Sequence, residues 1–135
     1  TTLLSTGPPG GNGAQDAIFR GSSLDGSRVF FVTDESLSAS DTDTSTDVYE
    51  RAGGVTTLIS TPGNGAFAAT FEGSSSSGAR VFFETRESLV AGDTDGTAID
   101  VYERSGGTTK LVSSGGNAAL DSRFAGNSAD GVRKR

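Results

Sequence analysis

Two residue types that carry much of protein chemistry are missing from this chain: its 135 residues include no cysteine and no histidine. Without cysteine there is no disulfide and no thiolate nucleophile. Without histidine there is no Ser-His or Cys-His pair and no imidazole acid or base, and the lack of both removes the usual zinc and copper sites. Carboxylates, hydroxyls and a few cations remain, so the sequence predicts a protein that is not an enzyme.

Positive charge and long apolar runs are also scarce. Eleven Lys and Arg against 17 Asp and Glu give a net charge of −6, and only residues 132–135, "VRKR", are locally basic. Phosphate binding needs clustered Lys and Arg, so no nucleic-acid partner is expected. No apolar run approaches the ~20 residues of a membrane span. The chain starts "TTLLS" without a signal-peptide pattern, which favours a mature or excised segment.

What the chain does contain is an internal repeat. With a shift of 52 residues, "GSRVFFVTDESL" at 26–37 aligns with "GARVFFETRESL" at 78–89. Past an aspartate-rich loop the shift becomes 53, and "DVYERAGGVTTLIS" at 47–60 aligns with "DVYERSGGTTKLVS" at 100–113. One residue has therefore been inserted in the loop of the second copy.

Partial copies flank the two full ones. The segment "TTLLST" at the start of the chain matches the close of a copy, "TTLIST". The segment "DSRFAGNSADGVR" matches the start of a copy and places Phe124 and Gly131 on Phe71 and Gly78. The chain is thus predicted to hold the tail of one repeat, two full repeats and the head of another.

Each copy is predicted to form four β-strands. Its apolar runs are short, rich in Val, Phe, Tyr and Thr, and bounded by turn residues. In the first copy the expected strands are residues 17–23, 28–33, 47–51 and 56–60. Glycines between them supply the positive φ that tight hairpins require. Four-stranded antiparallel meanders are expected.

The second strand indicates how these meanders pack. Val29 and Phe31 alternate with Phe30 and Val32, so both faces of the strand are apolar. In a chain without a helical period, only another sheet can cover two apolar faces. Four-stranded repeats of this length are typical of the blades of a β-propeller, and a β-sandwich is the alternative.

The repeat also resembles a known family. The stretch "GARVFFETRESLVAGDTDGTAIDVYERSGGTTKLVS" is similar to the blade repeat of bacterial TolB-like, WD40-like (PD40) β-propellers. The resemblance rests on the "DG.RVFF" hairpin, the "ESL..GDT.G..DVY.R" loop and strand, and the "GG.TTLVS" outer strand. The resemblance implies a six-bladed propeller that serves as a binding or accessory module, without a catalytic set, in a secreted, periplasmic or cell-surface protein. The first copy departs from the pattern with "TDTSTD" in its loop.

On this basis the chain is a single propeller segment of about two and a half blades. Residues 1–6 are expected to be the last strand of a preceding blade, 14–60 and 66–113 full blades, and 119–135 the first strands of a further blade. Its partners would be other blades of the same or another chain, and a protein or carbohydrate ligand.

The two aspartate loops are the candidate site. Six aspartates lie in them: Asp41, Asp43 and Asp47 in the first loop, and Asp93, Asp95 and Asp100 in the second. Hard cations such as Ca²⁺ take six to eight oxygens, and alternate residues of a tight loop can supply them. The loops are not EF-hands, because the twelfth position is Ala52 in one and Arg104 in the other. The alternative role is structural, with Asp side chains accepting backbone N–H bonds in turns.

If a cation binds, the second loop is predicted to be the better site. Gly96 follows Asp95 and can take the positive φ that turns a carbonyl toward a metal, whereas Thr44 stands at the matching place in the first loop. The Gly-rich stretches "GPPGGNGA" and "TPGNGA" precede no helical pattern and are interpreted as connections between blades.

Other recurring residues are assigned structural roles. A phenylalanine recurs on the first strand and is expected in the core of each copy, at Phe19, Phe71 and Phe124. An arginine also recurs, at Arg28, Arg80 and Arg133, and is expected to form a salt bridge within each blade. Residues that differ between copies, Arg20, Glu72 and Ala125, would line a central channel. A carboxylate there leaves a carbohydrate-active hydrolase as one alternative function. A structural protein that pairs blades between chains is another.

Overall fold

The computed structural model describes residues 1–8, 10–11, 13–63, 65–114 and 119–133. It contains two four-stranded antiparallel sheets, each a meander in chain order. Sheet 1 comprises β1 (Ala17–Ser22), β2 (Arg28–Thr33), β3 (Asp47–Ala52) and β4 (Val55–Leu58). Sheet 2 comprises β5 (Ala69–Ser74), β6 (Arg80–Thr85), β7 (Asp100–Ser105) and β8 (Thr108–Leu111). The prediction of an all-β fold with four strands per copy is confirmed.

The turns fall where the glycines predicted them. Gly26 and Gly78 both take a φ of 72° between the first and second strands of their sheets. A residue with a Cβ rarely adopts this left-handed conformation, so glycine sets the position of the hairpin. Among the described residues no helix has the length and apolarity that a membrane crossing requires.

The first strand of sheet 1 contains a β-bulge. Phe19 lies opposite Phe31 and Gly21 lies opposite Phe30, with Arg20 as the extra residue between them. Because Phe30 and Phe31 point to opposite faces of β2, the residues paired with them do so too. The bulge therefore places Phe19 on one face of the sheet and Gly21 on the other.

Sheet 2 repeats the bulge. Phe71 lies opposite Phe83, Gly73 lies opposite Phe82, and Glu72 is the extra residue. The candidate channel residue Glu72 is thus at the bulge. Each first strand carries a phenylalanine toward one side of its sheet and a glycine toward the other.

The two sheets pack face to face through a buried apolar cluster. Phe30, Val32 and Val48 of sheet 1 contact a face of sheet 2 that includes Val81 and Phe83. The ring of Phe71 stacks on that of Phe30 with centroids 5.4 Å apart. The expected covering of one sheet by another is confirmed on this face.

Residues 119–133 pack on the far face of sheet 2 in the same manner. The ring of Phe124 stacks on that of Phe82 with centroids 5.3 Å apart. The Leu24 N–H donates to the Ser76 carbonyl at 2.7 Å, and one copy later the Ser76 N–H donates to the Ala129 carbonyl at 2.6 Å. The packing contact thus occurs twice in the chain.

The structure differs from the sequence-based expectation at both ends. Residues 1–6 and the described residues 119–133 form no strand, and residues 134–135 lie outside the described part. A strand needs a neighbouring backbone for its hydrogen bonds, and in the described part of the chain neither segment is a neighbour of a strand in the two sheets. The expectation that Phe19 and Val29 are buried is wrong: Phe19 is 66% exposed and Val29 is half-buried, because the face of sheet 1 to which they point has no sheet over it.

Two of the three recurring arginines, Arg28 and Arg80, form the expected salt bridges. Arg28 Nη1 lies 3.3 Å from Glu50 Oε2, and Arg80 Nη1 lies 3.2 Å from Glu103 Oε1. Each pair joins the second strand to the third within one sheet. The Arg28 side chain keeps 41% of its surface exposed, so solvent screens its charge.

Replacing Arg28 by glutamine is therefore expected to lower the free energy of unfolding by less than about 1 kcal/mol. Urea denaturation of the variant and the wild type would measure the difference. A loss well above about 2 kcal/mol would show instead that Glu50 behaves as a buried charge left without its partner.

Candidate metal centre

Both aspartate loops bring their three carboxylates together. In each loop one oxygen from every carboxylate lies within 4.8 Å of the other two. The first cluster is Asp41, Asp43 and Asp47, and the second is Asp93, Asp95 and Asp100. The last aspartate of each cluster begins the third strand of its sheet, where the first residue pair of the ladder fixes its backbone.

A buried tyrosine orients the first aspartate of each cluster. The Tyr102 hydroxyl donates to Asp93 Oδ2 and accepts the Leu89 N–H at 3.2 Å. Burial, followed by the bond to Asp93, raises the pKa of Tyr102, so the phenol stays a donor. The equivalent bonds in the first loop join Tyr49, Asp41 and Leu37.

A serine holds the last aspartate of each cluster. Ser60 Oγ donates to Asp47 Oδ1 at 2.5 Å and Ser113 Oγ donates to Asp100 Oδ1 at 2.5 Å. The same hydroxyls accept backbone N–H groups from the third strand, Val48 at 3.0 Å for Ser60. The first and last aspartates of each cluster are therefore held by tyrosine and serine hydroxyl groups that lie outside the loops.

The first loop supplies backbone donors to two of its own carboxylates. The Ser45 N–H donates to Asp43 Oδ1 at 2.7 Å, and the Asp43 N–H reaches Asp41 Oδ1 at 3.4 Å. These are the side-chain-to-backbone bonds of an Asx-type turn. The structural interpretation of the aspartates is thus confirmed for Asp43.

The second loop leaves three carboxylate oxygens without donors. Asp93 Oδ1, Asp95 Oδ1 and Asp100 Oδ2 are buried and have no hydrogen-bond partner in the described part of the chain. Asp100 is only 3% exposed. Buried carboxylate oxygens without partners are costly. Gly96 takes the predicted positive φ, at 88°, and so differs from its counterpart Thr44.

Crowding and burial disfavour the charges of the first cluster. Burial, the largest cause, and the carboxylates of Asp41, Asp43 and Glu87 together raise the pKa of Asp47 to about 7, although the hydrogen bond from Ser60 lowers it. Glu87 lies in the loop after β6, so the electrostatic surroundings of this cluster include the neighbouring repeat.

The second cluster is perturbed for the same reasons. Burial raises the pKa of Asp100, the hydrogen bond from Ser113 lowers it, and the carboxylates of Asp93 and Asp95 raise it. Positive charge at the centre of the cluster would relieve the repulsion and give the three oxygens a partner. The arrangement therefore has the chemistry of a cation site.

The distances agree with a single hard cation. Oxygens bound to one Ca²⁺ at about 2.3–2.6 Å lie no more than about 5 Å apart, and the separations of up to 4.8 Å meet this limit. Carboxylates and backbone carbonyls are the ligands that such a cation prefers. No His or Cys is available to favour a softer metal.

The other acidic candidate lies between sheet 2 and residues 119–133. Burial raises the pKa of Glu72, and the Glu84 carboxylate raises it further. Glu84 itself is buried and accepts Arg123 Nη1 at 2.9 Å and the Phe124 N–H at 2.7 Å. Both Glu84 oxygens are thus engaged in fixing the following segment, as in a structural ion pair.

Sequence reasoning missed the residues that position the aspartates. Tyr49, Tyr102, Ser60 and Ser113 were not singled out, although all four recur at fixed places in the motifs "DVYER" and "TTLIS" or "TKLVS". Their recurrence was the available signal. A search of known proteins finds no family model, no curated sequence and no solved structure that matches this chain.

Proposed function

We propose that this chain is a non-catalytic β-propeller segment, a scaffold or binding module whose blades are stabilised by Ca²⁺ in their aspartate loops. One observation carries the cation assignment: the carboxylates of Asp93, Asp95 and Asp100 come within 4.8 Å of one another, and each has a buried oxygen without a hydrogen-bond partner in the described part of the chain. A cation supplies the partner that the protein does not.

The module character follows from the chemistry of the chain. Cysteine and histidine are missing, and both oxygens of the buried Glu84 are engaged, by Arg123 and by the Phe124 N–H. The recurring contact of Phe30 with Phe71 and of Phe82 with Phe124 supports blades stacked in sequence. The resemblance to TolB-like repeats points to the same class.

Calcium also favours a location outside the cytoplasm. Three carboxylates with few further protein ligands suit the weak sites of extracellular modules, with dissociation constants of about 0.1–1 mM. Extracellular calcium would fill such sites without any change in the protein. We therefore place the protein in the secreted, periplasmic or cell-surface class.

Calcium at millimolar concentration is expected to raise the melting temperature relative to EDTA. At ten times the dissociation constant, which is 1 mM calcium for a site of about 0.1 mM, a bound ion adds about 1.4 kcal/mol to the free energy of unfolding. Asp95→Asn is expected to remove more of this gain than Asp43→Asn, because Asp95 Oδ1 has no donor whereas Asp43 Oδ1 accepts the Ser45 N–H. Scanning calorimetry with Ca²⁺, with Mg²⁺ and with NaCl of equal ionic strength would separate binding from screening.

In EDTA the two variants are expected to differ in stability in another way. Asp95→Asn removes one of three crowded carboxylates and is expected to be at least as stable as the wild type. Asp43→Asn also relieves crowding, but it weakens the hydrogen bond from the Ser45 N–H, so the net gain in stability should be smaller. Identical melting curves in calcium and EDTA would leave the loops with a turn role only.

A further inference from the structure

The contact between successive repeats has one form. The knob is the phenylalanine of the first strand, or Phe124 at the matching place in residues 119–133, and its ring stacks on the second-strand phenylalanine of the copy before it. A first-strand glycine lies beside that second-strand phenylalanine. The second-strand phenylalanine and this glycine together are called the socket. Two sockets are filled: Phe30 with Gly21, which holds the knob Phe71, and Phe82 with Gly73, which holds the knob Phe124.

The glycine is what gives the socket its depth. A Cβ at Gly21 would lie 3.1 Å from the ring of Phe71, and a Cβ at Gly73 would lie 3.3 Å from the ring of Phe124. Such separations are tighter than ordinary van der Waals contact, so a larger residue pushes the knob out. Phenylalanine and glycine are both needed to form a socket.

Phe19 is a knob without a socket. It occupies the place of Phe71 in its copy but is 66% exposed. Leu4, in the place of Ile59, is 41% exposed where Ile59 is 5% exposed. These residues line an apolar groove on the outer face of sheet 1, made of Leu4, Ser5, Ala17, Phe19, Val29 and Phe31.

The exposed residues are buried when they recur in sheet 2. Ala17 is exposed and its counterpart Ala69 is buried; Val29 is half-buried and its counterpart Val81 is buried. In sheet 2 the cover is sheet 1. Since residue type and register are the same in both copies, the difference lies in the missing cover and not in the strands.

We propose that the groove around Phe19 is a docking surface for a further four-stranded sheet of this repeat, one that presents an open socket of phenylalanine and glycine. A second copy of the chain fits less well, because both sockets in the described residues already hold the chain's own knobs. The inference extends the proposed stacking of blades and does not depend on calcium.

The test supplies such a sheet. The sequence of residues 66–108 is repeated in front of Thr1, so that Thr1 takes the place that Thr109 has after residue 108. Hydroxyl-radical footprinting then measures the reactivity of Phe19, whose peptide remains unique. We expect this reactivity to fall to the level of Phe71 in the original chain.

A matched pair of variants tests the socket. In the added copy, Gly73→Leu fills the socket, and the contacts that its Cβ would make are with Asn127 and Phe124 of the following segment, so the added sheet itself can fold. Gly92→Ala in the same copy is the control, since a Cβ there meets nothing within 4 Å. Phe19 should be reactive again with Gly73→Leu and protected with Gly92→Ala. Low reactivity of Phe83, present in both copies, reports that the added sheet is folded.

Three results would overturn the proposal. Phe19 could stay reactive in the extended chain although Phe83 is protected, or it could stay protected when the socket is filled. The original chain could also self-associate in sedimentation with Phe19 protected, which would make a second copy the occupant. Calcium titration of the same proteins reports separately on the proposed cation sites.

Discussion

Replacing Phe82 by alanine is expected to lower the free energy of unfolding by about 3–5 kcal/mol. Its side chain is fully buried at the centre of β6 and stacks on Phe124. The substitution removes apolar surface on the face that residues 119–133 cover and leaves a cavity that Gly73, opposite it in the ladder, cannot fill. Because domains of this size are stable by about 5–15 kcal/mol, the loss is a large share of the total.

Phe19→Ala is the matched control for Phe82→Ala. Both substitutions remove the same ring, but Phe19 is two-thirds exposed and should cost less than about 1 kcal/mol in the original chain. Urea denaturation followed by far-UV circular dichroism would give both values. Equal losses at the two positions would contradict the assignment of the covered and uncovered faces.

Tyr102→Phe is expected to destabilise the chain by about 3 kcal/mol, because two buried groups lose their partner at about 1–3 kcal/mol each. The Leu89 N–H loses its acceptor and Asp93 Oδ2 loses its donor. Asp93 is then free to rotate away from the cluster. The variant should therefore also lose much of the calcium-dependent rise in melting temperature.

Tyr49→Phe separates these two effects. Its hydroxyl makes the equivalent bonds to Leu37 and Asp41, so in EDTA the variant should be about as destabilised as Tyr102→Phe. Its calcium response should stay closer to that of the wild type, since the first loop has an internal donor for Asp43. A calcium response lost in Tyr49→Phe and kept in Tyr102→Phe would reverse the assignment of the better site.

Much of the fold could be predicted because each strand and turn of the repeat occurs twice in the sequence. The limits of β2 were predicted to the residue, since Gly26 fixes the hairpin before it. The expectation that a sheet packs on another sheet followed from Phe30 and Phe31, which make both faces of β2 apolar. The three-aspartate clusters followed from spacing alone, because residues of one short loop stay close whatever the rest of the chain does.

The partners of the aspartates could not be predicted in this way. Tyr102 reaches Asp93 because β7 runs beside β6 in one particular register, and register depends on the whole sheet. The difference in hydrogen bonding between the two loops could not be predicted either. The Ser45 N–H donates to Asp43, whereas the inserted residue and Gly96 give the backbone of the second loop a different conformation. Strand periodicity also cannot tell which apolar face is covered, as Val29 shows.

The bulge in the first strand gives the chain of repeats a direction. In a regular strand without the bulge, the phenylalanine and the glycine are two positions apart and would point to the same face of the sheet. The knob and the glycine of the socket would then lie on one face, and a sheet could dock on only one neighbour. With it, every unit presents unlike surfaces front and back, so the contacts are heterologous. Because a heterologous contact leaves one surface open at each end, further units can be added without a fixed limit. The angle turned from one sheet to the next, rather than the chemistry of the contact, decides whether such a series closes into a ring or continues as an open helix.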